Sequence, residues 1–166
     1  MPEKATIERA RKDKREGKSP STQAGEFVRE EIHHVREGKH GARSAKQAIA
    51  IGLSKARRAG VKLPAPKKGK ASAETRRAAK RALRKGRRSG TQRPSARRSR
   101  AVRGALRGEG RSATTRKALS RQARSATKRR TARERSAAAR RAARTKGAAG
   151  RSAAARKAAR TRARRG

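Results

Sequence analysis

The sequence contains no cysteine, tryptophan or tyrosine, and only one phenylalanine. Without cysteine there are no disulfides, no zinc fingers and no thiol nucleophile. Without aromatic side chains there is little on which to stack unpaired bases, as single-strand binders and RNA-recognition sheets do. The longest run free of polar side chains, "AIAIGL" at 48–53, is far too short for a membrane span. The N-terminal "MPEKATIERARKDKREGK" is charged throughout and offers no apolar segment for a secretory signal, so a cytoplasmic protein is expected.

Acidic residues are scarce too. Eleven Asp and Glu face 54 Lys and Arg in 166 residues, a formal charge of +43. Hydrophobic residues make up 31%, but most of them are alanine, so bulky side chains for one large core are missing. High charge with low hydrophobicity marks a chain that stays largely disordered when alone. A charge this large repels itself until a polyanion neutralises it, which makes nucleic acid the leading partner.

The charge is uneven. Residues 1–66 hold 16 Lys/Arg and 8 Asp/Glu, whereas residues 67–166 hold 38 and 3. "LPAPKKGK" at 63–70 marks the change, with two prolines that stop a helix just before the basic tract. Three segments follow: a charged helix or arm at 1–18, a helical module at 19–66, and a basic low-complexity tail at 67–166.

The first 66 residues carry clear helix punctuation. Residues 3–16 mix acids and bases at helical spacing, and Gly17 ends them. Ser19 is placed to cap a second helix, with Pro20 at its first position. Ala24, Phe27, Val28, Ile32 and Val35 then share one face, and Gly38 ends the run. Ser44 and Gln47 fit a capping box for a third helix, whose face is Ala45, Ala48, Ile49, Gly52, Leu53 and Ala56. Gly60 fits a left-handed cap that would return Val61 to Ala56, and Pro64 blocks continuation. The expected fold is all-α: a small helical hairpin, or three helices with the N-terminal segment, followed by a long disordered or intermittently helical Arg/Ala-rich tail.

The tail repeats R-S-x-x-x-R six times, beginning at residues 88, 98, 111, 124, 135 and 151. These intervals are too short and irregular for a solenoid. Each repeat serine is a candidate cap for a short basic helix, and each glycine a candidate stop.

No catalytic, cofactor or metal site is expected. His33, His34 and His40 cluster near acids, and "EEIHH" has Glu-x-x-His spacing, yet the second helix of the hairpin supplies no carboxylate to complete a di-metal site. The simpler assignment pairs His34 with Glu30 and His33 with Glu37 on a helix surface. An enzyme is the least favoured class. Candidate nucleic-acid contacts are Arg57, Arg58, Lys62, Lys67, Lys68, Lys70, Arg76, Arg77, Arg87, Arg88, Arg97, Arg98, Arg129, Arg130, Arg140, Arg141, Arg164 and Arg165.

With those residues in view, residues 17–66 resemble a family of small, basic bacterial proteins of poorly known function. Its members share the block "GKSPSTQAGEFVREEIHHVREGKHGARSAKQAIAIGLSKARRAGVKLP". Some are named DNA-binding or plasmid stabilization proteins, which implies a DNA partner and no catalytic residues. The tail resembles linker-histone and bacterial histone-like tails in composition, although its 29 Arg to 9 Lys departs from their lysine excess.

The expected function is therefore non-specific duplex DNA binding by a nucleoid-associated, histone-like protein that neutralises and bridges DNA. RNA or the ribosome is the alternative target. A third alternative is a helical protein-interaction module at the nucleoid, with a homodimer through the hairpin.

Overall fold

The computed structural model describes residues 2–87 and 95–164, apart from the Arg98 side chain. Among these residues are seven helices: α1 (Lys4–Arg15), α2 (Pro20–Arg36), α3 (Ala45–Arg58), α4 (Ala73–Arg87), α5 (Ala96–Arg107), α6 (Arg116–Lys128) and α7 (Ala132–Ala163), with a 3-10 turn at Ser112–Thr114.

Local chemistry sets the first three helices. Ser19 caps α2 by accepting from Thr22 N, with Pro20 at the first position. Ser44 caps α3 through Gln47 N at 3.2 Å. The return bond of the box is displaced by one residue, because Gln47 Oε1 accepts from Arg43 N at 2.7 Å. All three helices stop alike. Gly17, Gly38 and Gly60 adopt positive φ, and the next residue's N–H returns to a carbonyl five residues back: Lys18 to Asp13, Lys39 to His34, Val61 to Ala56. This is the Schellman motif, in which glycine avoids the Cβ penalty of the left-handed conformation.

α2 and α3 pack together, and α1 lies against α2. One apolar cluster joins Ala10, Ala24, Phe27, Ala56 and Val61, flanked by partly buried Ile7, Leu53 and Leu63. Gly52 lets α3 approach the α2 backbone directly; a Cβ there would lie 2.7 Å from Val28 Cα. A second cluster joins Val35, Ala42, Ala48 and Ala113. Val28, Ile32 and Ile49, placed on apolar faces by their spacing, are only partly buried.

The expectation of a long disordered or intermittently helical tail is overturned. The described residues beyond 70 are mostly helical, and the first compact unit extends to Gln122. Small residues make this packing. Ala79 and Ala82 are buried on α4, which packs against α3. Gly86 sits so close to the Arg57 carbonyl that no Cβ would fit between them. Farther on, Gly41 is packed just as closely against the Glu109 carbonyl. Gly41 N donates to Leu106 O at 2.7 Å and Ala42 N to Gly110 O at 3.0 Å. The Arg36 guanidinium donates twice to Thr114 O, at 3.1 and 3.0 Å. Alanine and arginine have high helix propensity, and a backbone-to-backbone docking of this kind does not need bulky side chains. The fall in acidity at Pro66 thus marks a change of charge, while the packed unit continues past it.

Residues 123–166 form a second compact unit, holding the end of α6 and all of α7. Thr131 and Glu134 start α7 with a complete capping box, at 3.2 and 2.9 Å. Gly147, with φ of 64°, kinks the helix. The repeat serines do not act as expected here: Ser125, Ser136 and Ser152 lie inside helices. Caps come instead from Ser72, Thr115 and Thr131. Three residues after these serines stand Lys128, Ala139 and Ala155, where the return half of a capping box needs Glu or Gln, as Glu134 provides for Thr131. The first repeat, at 88–93, lies outside the described residues.

Candidate nucleic-acid interface

α4 has two unlike faces. Ala79, Ala82 and Gly86 turn toward α3, while Arg77, Lys80, Arg81, Arg84 and Arg87 recur at helical spacing on the other side. With Leu83, these five cations line a groove of about 570 Å³ that has no acidic lining residue. The stripe spans about 15 Å at 1.5 Å per residue. Over that axial length duplex DNA presents about nine phosphate charges. Like charges at these spacings repel along a helix, and an anion laid over them removes that cost.

The structure separates the expected contact residues. Arg57 is not at the surface: it is 7% exposed, and donates from Nε and Nη2 to the carbonyls of Leu63 and Pro64 at 3.2 and 3.1 Å. Burial lowers its guanidinium pKa from the ordinary value. It therefore ties the α3 exit to the proline segment. Arg58 and Lys62 are exposed beside it. Lys67, Lys68 and Lys70 are exposed on the link into α4, and Arg76 is half-buried with an Nε that has no hydrogen-bond partner.

Arg77 and Arg87 belong to the stripe, and Arg97 is exposed at the start of α5. Arg129 and Arg130 follow α6, Arg140 and Arg141 lie on α7, and Arg164 caps its end; all are exposed. Arg88, Arg165 and the Arg98 side chain lie outside the described residues. Lys80, Arg81 and Arg84 are not among the expected contacts, which favour dibasic pairs. The i, i+3, i+4, i+7 spacing from Arg77 is the signal that finds them.

Around α2 several charges pair internally. Arg9 pairs with Glu26 at 2.7 Å, and Lys55 with Glu30 and Glu31 at 3.3 and 2.6 Å. The acidic α2 and basic α3 thus attract one another. His33 reaches Glu37 at 3.7 Å, as its spacing predicts. His34 does not pair with Glu30; it reaches across to Glu3 at 2.8 Å, which sequence-local spacing could not show. Phe27, the one aromatic side chain of the Phe, Tyr and Trp class, is 1% exposed and cannot stack on a base.

Among the described residues, these features define a cationic helical protein whose exposed cationic stripe is built on a helix. Residues 11–68 match the model of a family of unknown function (DUF6496). No curated protein and no solved structure matches the chain. Among the described residues, no helix is long and apolar enough to cross a membrane.

Proposed function

We propose that this protein binds duplex DNA non-specifically, as a nucleoid-associated protein that neutralises and bridges the duplex. The observation that carries this reading is the acid-free stripe Arg77, Lys80, Arg81, Arg84 and Arg87 on the face of α4 opposite its docked face. Phosphate contacts give affinity without sequence information, and arginine supports them with paired donors. The burial of Phe27 favours the duplex over single strands. Exposed arginines on α5, α6 and α7 extend the cationic surface within each unit.

The test is a salt titration of affinity on duplex DNA, single-stranded DNA and RNA. Five phosphate contacts from the stripe alone give a log–log slope of about −4.5, and a dozen across the protein give about −11. Changing the five stripe cations to glutamine is expected to flatten the slope by about 4 to 5. Substitution is better than truncation at residue 66, because that cut removes α4 from a packed unit. An unchanged slope in the stripe variant, or tighter binding to RNA than to duplex DNA, overturns the reading.

A further inference from the structure

Among the described residues, a cluster of potential metal-ligating side chains lies near the end of α2, outside the cationic stripe. Glu31, His34 and His40 each present one ligand atom, and those three atoms lie within 4.8 Å of one another. Glu31 and His34 are three residues apart on one face of α2. His40 arrives from the link, whose course is set by the Schellman turn at Gly38.

The protonation pattern of the cluster is constrained. A carbonyl only accepts, so His40 Nδ1 donates to Gly41 O at 3.0 Å, and the lone pair of the neutral ring falls on Nε2. That Nε2 faces Glu31 Oε1 at 3.1 Å. Two acceptors at that separation repel unless a cation lies between them. His34 donates its Nε2–H to Glu3 at 2.8 Å, which leaves the lone pair on Nδ1. Glu31 is 1% exposed, and neither carboxylate oxygen makes a hydrogen bond. Its contacts with Lys55 Nζ at 2.6 Å and with His40 are charge contacts that lack hydrogen-bond geometry. Metal-ligating imidazoles are commonly held in this way, through their far nitrogens by a carbonyl or a carboxylate.

We propose that Glu31, His34 and His40 hold one divalent first-row transition-metal ion of the zinc class. One carboxylate and two imidazoles suit zinc, cobalt or nickel and disfavour magnesium, which takes oxygen ligands. Ligand atoms about a tetrahedral zinc sit about 3.3 Å apart at its 2.0–2.1 Å bond lengths. The widest pair therefore closes by up to about 1.5 Å, through rotation of partly exposed imidazoles.

The ion would act as a clamp. Gly41 and Ala42, which directly follow His40, donate to Leu106 at the end of α5 and to Gly110 just beyond it. Fixing His40 to α2 fixes the segment on which that connection docks.

The test titrates full-length, chelator-stripped protein with Co²⁺, read by its visible absorption, and with Zn²⁺, read by calorimetry. No nucleic acid is present, so the outcome is independent of the DNA reading. One ion per chain is expected, and Mg²⁺ is expected to bind without that stoichiometry. Loss of an outer-shell partner alone costs 10–100-fold in metal affinity, so His40→Ala and Glu31→Gln are each expected to lose about 100-fold or more. His33→Ala, at an exposed residue outside the cluster, is expected to retain binding. If Glu31→Gln loses helix content, His40→Ala on the link carries the test. Absent stoichiometric binding, or binding that His40→Ala leaves intact, overturns the proposal and leaves a proton as the shared cation.

Discussion

Replacing Gly52 and Gly25 separately by alanine isolates the cost of the close α2–α3 approach at Gly52. Both glycines are helical, so each replacement recovers about 1 kcal/mol of helix propensity. At Gly25 a new Cβ meets nothing within 4 Å. At Gly52 it meets Val28 Cα at 2.7 Å, Phe27 O at 2.9 Å and Val28 N at 2.9 Å. All three are backbone atoms, so no rotamer change relieves the overlap. The helices must separate by about 0.7 Å to restore ordinary contact, and overpacking of this kind costs about 1–3 kcal/mol. Propensity cancels between the two variants, so their difference should be about 1–3 kcal/mol, or about 5- to 150-fold in local opening. Native-state hydrogen exchange of the α3 amides measures this directly, without signal from the helices of the second unit. Gly25→Ala should exchange no faster than the parent protein. Equal protection in the two variants would refute the close packing of α2 on α3.

Two further predictions separate structural from anion-binding charge. Arg57→Ala should cost about 1.5–3 kcal/mol, because two carbonyls lose a charged donor, whereas Arg58→Ala should stay within about 0.5 kcal/mol. Denaturation of the two variants checks this, and equal stabilities would return Arg57 to the surface. The second concerns acid. Glu3, Glu16 and Glu37 are held below the ordinary glutamate value of 4.5, by hydrogen bonds to His34 and Lys39, to Lys18, and to Lys39 respectively. Their contribution is complete above that value and is lost as the pH falls through the lowered ones. Since Glu3 bridges to His34 on α2, α1 amides should lose exchange protection below about pH 4.5, before those of α3. Loss of α1 protection well above that pH, or only together with α3, would contradict this assignment.

The punctuation of the first 66 residues was legible because it is local. Ser19, Ser44, Gly17, Gly38 and Gly60 act within one helical turn, and each signal names its own position. The tail was misjudged because its packing uses Ala79, Ala82, Gly86 and Gly41, residues whose small size carries no bulky periodic pattern. Composition rules count apolar volume, and backbone-to-backbone docking adds almost none. Arg57 was misplaced for a different reason: a basic doublet does not reveal which member faces inward. The stripe on α4 is legible in its helical spacing, which adjacent dibasic pairs do not trace. The cluster of Glu31, His34 and His40 joins a helix to the link beyond it, and its geometry exists only after the chain turns at Gly38.

The docking through glycine also bears on how this sequence can change. Glycine codons lie one base from those for alanine, arginine and serine, the residues that fill much of the chain. At Gly104 on α5 such an exchange meets nothing within 4 Å. At Gly41, Gly52 and Gly86 the same single-base change places a side chain where a neighbouring backbone already stands. A chain whose composition looks free to drift is therefore pinned at a few sites, and at those sites drift opens an interface between helices.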